Sequence, residues 1–137
     1  MNRQTEVKEG MIFSLGHPLL DIIADVDQDF LEKWKLPRNS AILADPIKHD
    51  GLYDEMVSKY SKGIKFIPGG AVQNSMRIAQ WFLVKPNVCV FMGCIGDDSE
   101  GRMMEEKANE DGVKTIYEIT KEAKTGTCAV AINGINR

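Results

Sequence analysis

The sequence predicts an α/β fold built around a parallel sheet. Three observations carry that expectation. Short apolar, β-rich runs alternate with segments of helical periodicity. Two glycine-marked turns stand one βα unit apart: Gly69-Gly70-Ala71-Val72-Gln73-Asn74-Ser75 and Gly93-Cys94-Ile95-Gly96-Asp97-Asp98-Ser99-Glu100-Gly101. Each turn opens into a helical pattern, as in right-handed crossover units joining parallel strands. In open α/β sheets ligands bind in the crevice at the carboxyl ends of the strands. The two turns therefore also point to a small-molecule site.

The elements follow in order. Residues 11–15, closed by Gly16, read as a first strand, and residues 21–26 as a second. Asp27 or Asp29 caps a short helix holding Phe30, Leu31 and Trp34, which Pro37 stops. Residues 41–44 read as a short strand. Asp45-Pro46 pairs an N-cap with proline at the first helical position. Ile47, Leu52, Met56 and Tyr60 give that helix an apolar face, weakened by Gly51. Residues 64–67 form a strand running into Pro68-Gly69-Gly70. Val72, Met76, Ala79 and Leu83 then line one side of a helix, and Pro86-Asn87 ends the unit. Residues 88–92 read as a buried strand. Asp98 or Ser99 caps the next helix, with Glu100 in its first turn and Gly112 past its end. Strands over 114–119 and 127–132 close the series, joined by a charged turn. The stretch 64–119 is expected to form a β-α-β-α-β parallel unit. The shorter strands, 21–26, 41–44 and the last two, are expected in a separate small sheet.

Composition narrows the function classes. A chain of 137 residues fits one domain burying roughly two-thirds of its unfolded surface. Hydrophobic residues are 43% and charged residues 27%, as in an ordinary globular protein. The net charge of −3 and the lack of a Lys/Arg stripe argue against a nucleic-acid partner. The charged first ten residues lack a signal-peptide core, and no run of about 18 apolar residues occurs, which argues against a membrane partner. Cys89, Cys94 and Cys128 form no C-x-x-C pair. They argue against a disulfide framework or zinc site and for a reducing compartment. No residue is assigned to a metal. The P-loop is absent, since Gly101 is followed by Arg102-Met103. The G-x-G-x-x-G fingerprint is missing from both turns, and no H-E-x-x-H, G-x-S-x-G or EF-hand loop occurs.

Gly69-Gly70-x-x-x-Asn74, followed by Gly93-x-Ile95-Gly96-x-Asp98-x-x-Gly101, resembles the N-terminal signature of the ribokinase (PfkB-type) carbohydrate kinases. Further stretches are similar to its adenosine-phosphorylating branch. They are His17-Pro18-Leu19-Leu20-Asp21-Ile22, Gln73-Asn74-Ser75, Ala79-Gln80-Trp81, Gly93-Cys94-Ile95-Gly96 and Thr125-Gly126-Thr127-Cys128-Ala129. The resemblance implies a kinase that moves the γ-phosphoryl of ATP, with Mg2+, to the 5′-hydroxyl of adenosine, giving AMP for purine salvage. It implies a ribokinase-like three-layer sandwich, partial here, with a small β lid drawn from residues 18–45 and 115–137. It also implies a monomer in the cytoplasm or nucleus. The family's catalytic base and anion hole lie in an Asp-x-x-Gly-Ala-Gly-Asp motif that these residues do not contain. The expectation is thus the nucleoside-binding N-terminal part of such an enzyme, inactive by itself. The Asn133-Gly134 turn suggests a hairpin lacking its second strand. Val88, Val90 and Ile95 are expected nearer to water, and the chain marginally folded.

The resemblance also assigns roles. Asp21 matches a carboxylate that accepts hydrogen bonds from both ribose hydroxyls, chemistry that suits its two oxygens. By itself Asp21 reads as a solvated strand-end residue. Gly70 matches a backbone N–H donor to the ribose, with Gly69 permitting close approach; paired glycines otherwise mark plain turns. Asn74 matches a ribose contact and equally suits a helix first turn. His17 and Ala71 stand where relatives more often carry asparagine and serine. Leu43 and Cys128 match positions around the base, or read as core. Arg137 matches a lid arginine facing the phosphates. Trp34, Trp81, Met103 and Met104 read as packing. Two other readings stay open: a non-catalytic nucleoside-binding or interaction module, and a related purine nucleoside or sugar kinase.

Overall fold

The computed structural model describes residues 6–134. The elements are β1 (Ile12–Leu15), β2 (Leu19–Asp25), α1 (Gln28–Lys33), α2 (Leu52–Lys59), β3 (Lys65–Gly69), α3 (Ala71–Leu83), β4 (Cys89–Gly96), α4 (Ser99–Glu110), β5 (Lys114–Thr120) and β6 (Thr127–Ile132). They form two three-stranded sheets, of order β1-β4-β5 and β3-β2-β6. The chain divides into two compact units: the residues up to Leu20 with Ile67–Cys128, and Asp21–Phe66 with the residues from Ala129 on.

The first unit holds the parallel sheet. β4 pairs with β1, Leu15 opposite Met92, and with β5, Gly93 opposite Tyr117. Helix α3 packs on β4 and β1, and α4 on β5 and β4. Cys89, Phe91, Met104, Ala108 and Val113 are fully buried between strands and helices. Burial of each large apolar side chain stabilises the fold by about 1.5–3 kcal/mol. Val88, Val90 and Ile95, expected nearer to water, are buried. They flank or belong to the central strand, and the exposure falls on its neighbours: Phe13 and Leu15 on β1 are 59% and 68% exposed. The buried residues of α3 are Gln73 and Gln80, whereas the expected face of Val72, Met76, Ala79 and Leu83 is only half-buried. Gln80 explains this. Its side chain donates to the Lys85 carbonyl at 2.5 Å and accepts from Cys89 N at 3.0 Å, tying helix to strand. Trp81, read as packing, is 72% exposed.

The second unit is organised around Phe30, which packs edge-on against Tyr60 and tilted against Trp34. Ile22, Ala24, Leu52 and Met56 are buried in the same unit. Asp27 caps α1, accepting from Phe30 N at 2.9 Å. The helix ends before Pro37, at the Trp34 C-cap, with Lys35 at φ +52.

Four strand and helix expectations are corrected. β3 pairs in the second sheet, and β1 takes its place beside β4. β5 belongs to the parallel sheet, as the 64–119 unit requires and the small-sheet and lid readings do not; among the described residues of the lid stretch 115–137, β6 is the strand in the sheet with β2. Residues 41–44 form no strand. Asp45-Pro46 opens a turn, where Asp45 Oδ1 accepts from Ile47 N and Lys48 N. The helix begins later, at Leu52, because Gly51 adopts the left-handed conformation. Period and capping chemistry are local, whereas pairing partners are chosen by long-range burial.

Candidate functional site

The carboxyl ends of β1, β4 and β5 and the start of α3 converge on one crevice in the first unit. It is a cavity of about 800 Å³ lined by residues 15–17, 92–94 and 116–118, with Ala71 and Val72. That volume lies within the usual range of small-molecule sites. Its walls are mainly apolar, and His17, Tyr117 and Glu118 supply polar groups. This is the place the doubly wound rule assigns to a ligand.

Two glycines make the crevice possible. Gly70 has φ +90, and a Cβ there would stand 2.5 Å from the His17 carbonyl oxygen. A Cβ at Gly93 would meet Pro18 Cδ at 2.8 Å and Gly16 O at 2.9 Å. Larger residues would force apart the backbones that frame the cavity. Gly70 is also the N-cap of α3, and no side chain caps this helix. The first intrahelical bond runs from Asn74 N to Gly70 O at 2.9 Å. The uncapped, dipole-positive end of a 13-residue helix thus opens on a cavity lined by its first two residues.

The other glycine loop is built differently. Asp98 caps α4, its Oδ1 accepting from Gly101 N at 2.8 Å and from Thr125 Oγ1 at 2.6 Å. Its Oδ2 accepts from Thr125 N at 2.8 Å, and Thr125 Oγ1 accepts from Gly96 N at 2.9 Å. Partial burial pushes the Asp98 carboxyl up. The hydrogen bonds from Thr125 and Gly101 outweigh it and hold the group below its ordinary value. This loop is filled by its own Asp98 together with Thr125 from the segment before β6.

The expected site residues fall as follows. His17 and Ala71 line the cavity, and Gly70 stands against His17. Gly69 is buried at the end of β3. Asn74 is exposed and lies beside a second hollow with Arg77 and Asp111, outside the first cavity. Cys128 is half-buried on β6. Asp21 is half-buried on β2 and Leu43 is 96% exposed, both in the second unit. The core reading of Leu43 is therefore wrong, because its segment forms no strand to cover it. Arg137 lies outside the described residues.

Sequence reasoning missed a polar pair behind the cavity. Tyr117 Oη donates to Gln73 Oε1 at 2.5 Å. Burial, reinforced by the charge of Glu105, pushes the Tyr117 hydroxyl above its ordinary value, so it remains a donor. Gln73 is fully buried, and its Nε2 has no partner among the described residues. Gln73 stood in the quoted glycine turn, but nothing local signalled that it would be buried against Tyr117, 44 positions along the chain.

Known proteins share this fold. A profile described as pfkB family carbohydrate kinase matches residues 40–137. Adenosine kinase 2 of Arabidopsis thaliana is 44% identical over 129 residues, covering 94% of this chain and 36% of that protein. The crystal structure of Anopheles gambiae adenosine kinase in complex with P1,P4-di(adenosine-5) tetraphosphate superposes with a TM-score of 0.83 at 45% identity. The match covers 95% of this chain and 40% of that one. Apo Trypanosoma brucei brucei adenosine kinase gives a TM-score of 0.87 at 33% identity, over 95% of this chain and 39% of that one. The chain spans about a third of the length of the curated relatives it matches. Its fold is ribokinase-like, as its glycine turns suggested. The chain belongs to the pfkB family of carbohydrate kinases.

Proposed function

We propose that the protein phosphorylates adenosine on its 5′-hydroxyl, with ATP as donor, giving AMP. The observation that carries this reading is the likeness to adenosine kinases across nearly the whole chain, at 44% identity to one relative and 45% to another. The cavity at the start of α3 supports it, being of small-molecule size and mainly apolar.

In this reading Gly70 N–H and the Asn74 carboxamide hold ribose hydroxyls, and Asp21 accepts from both. His17 and Ala71 border the nucleoside, and Leu43 and Cys128 flank the base. Arg137 faces the phosphates. These residues bind and orient; removal of the 5′-hydroxyl proton is assigned to none of them. ATP is expected with Mg2+. Among the described residues no three His, Cys, Asp or Glu side chains stand together as a metal site, so no residue here is assigned to the ion. The same reading carries a monomer located in the cytoplasm or nucleus.

The test is AMP formation by the intact protein from ATP with adenosine, other nucleosides and ribose in parallel. Adenosine is expected to be preferred, with turnover of about 1–100 s⁻¹. Preference for ribose would move the assignment to a sugar kinase. Adenosine binding without turnover by the intact protein would favour a non-catalytic module.

A further inference from the structure

Arg77 lies on α3 three residues beyond Asn74, and none of the roles above uses it. Its guanidinium makes three hydrogen bonds. Nη1 donates to the Pro68 carbonyl at 2.6 Å and to Asn74 Oδ1 at 3.1 Å. Nε donates to Asp111 Oδ2 at 2.5 Å. Pro68 precedes Gly69-Gly70 at the end of β3, and Asp111 is the C-cap of α4. One planar group therefore ties the loop and Asn74 to the far end of the neighbouring helix. The Arg77 side chain is 23% exposed, so the ion pair is partly shielded from water.

The chemistry of the donors decides how Asn74 is presented. A guanidinium has five N–H donors and no acceptor. The Asn74 carboxamide must turn its oxygen toward Arg77, which leaves its NH₂ group to donate elsewhere. Asp111 in turn fixes the guanidinium plane from the opposite side. We infer that Arg77 is a positioning residue that sets Asn74 as a hydrogen-bond donor to a nucleoside hydroxyl oxygen and holds Pro68-Gly69-Gly70 beside it. This inference rests on the adenosine-binding role proposed for Asn74. It adds the residue that determines the direction of that hydrogen bond.

The experiment is steady-state kinetics of the intact protein and of Arg77→Met, Arg77→Lys and Asp111→Asn. Adenosine is compared with 2′-deoxyadenosine and 3′-deoxyadenosine, and each variant is melted thermally. In Arg77→Met the KM for adenosine is expected to rise by up to about tenfold, as loss of the one neutral hydrogen bond from Asn74 to the nucleoside implies. The kcat should stay within about twofold. Preference for adenosine over one of the deoxy analogues should shrink by the same factor as the KM rises. Asp111→Asn should act in the same direction more weakly. If Arg77→Met does not fold, Arg77→Lys carries the test, since a single ammonium keeps the charge but cannot span the same acceptors. A lowered melting temperature with unchanged KM and unchanged analogue preference would overturn the assignment and leave Arg77 a structural strap. Wild-type turnover of adenosine is read first. An active wild type with unmoved Arg77 variants overturns the positioning role alone, whereas a wild type inactive on adenosine overturns both readings.

Discussion

The Gly69-Gly70 stretch and the stretch over residues 93–101 look alike as sequences. Both are glycine-rich and both run from the end of a strand into a helix, the second with Gly93 and Gly96 inside β4 and the expected turn reduced to Asp97-Asp98. Their chemistry is opposite. The first helix starts at Gly70 with no side-chain cap and faces the cavity. In the second, the Asp98 carboxylate takes hydrogen bonds from Gly101 N, Thr125 N and Thr125 Oγ1. Glycine allows a backbone to come close, but what comes close can be a ligand or the protein itself. The free donors of an uncapped helix end mark the first kind of loop, and an internal carboxylate marks the second.

This contrast can be broken most forcefully at Asp98. Asp98→Ala removes an N-cap and the acceptor for Thr125, so a loss of about 2–4 kcal/mol is expected. Urea unfolding should show it, while the affinity of the folded protein for adenosine changes little. An affinity loss larger than the stability loss would mean that the second loop also serves the ligand.

Gly70→Ala is the reciprocal test, with a smaller effect on stability. The positive φ and the His17 carbonyl oppose a Cβ, at a cost of about 1–3 kcal/mol. Here the main loss should be adenosine binding, measured by calorimetry on protein that still melts cooperatively. Unchanged affinity in a folded Gly70→Ala protein would remove this loop from the site.

The smallest expected effect is in the pH dependence. The Asp98 pKa is held below its ordinary value of 3.8. A depressed carboxyl contributes stability that is present above the unfolded value and is lost as pH falls through the folded one. The contribution of Asp98 should therefore be full near neutrality and disappear only below about pH 4. Asp98→Asn should flatten that acid limb of the stability curve. An acid limb identical in the variant would show that Asp98 is not held in its charged form.

Much of the site was legible in the chain. The glycine pairs, a cap at Asp27 or Asp29 and at Asp98 or Ser99, and Gly112 past the end of α4 are local signals, and the structure selects Asp27 and Asp98 as the caps. His17 and Ala71, candidates on the sequence, line the cavity, which leaves their roles toward a ligand as a proposal. Arg77 carried a faint signal, its spacing of three from Asn74 on a helix. Its other partners, Pro68 and Asp111, lie far along the chain or across a turn. Leu43 misled because its apolar neighbours suggested a strand, and no strand formed there to bury it.

The chain by itself determined the alternation of strands and helices, where most helices begin, the crevice-forming glycines and the family. Those properties depend on side-chain period, φ preference and capping groups within a few residues. Only the tertiary structure decided that β1 and not β3 lies beside β4, and that β5, which the sequence placed both in the parallel unit and in the small sheet, joins the former. It also decided that Thr125 fills one glycine loop while the other stays open. These outcomes join residues tens of positions apart. Burial and hydrogen-bond satisfaction over the whole unit select them, and no local pattern encodes that choice.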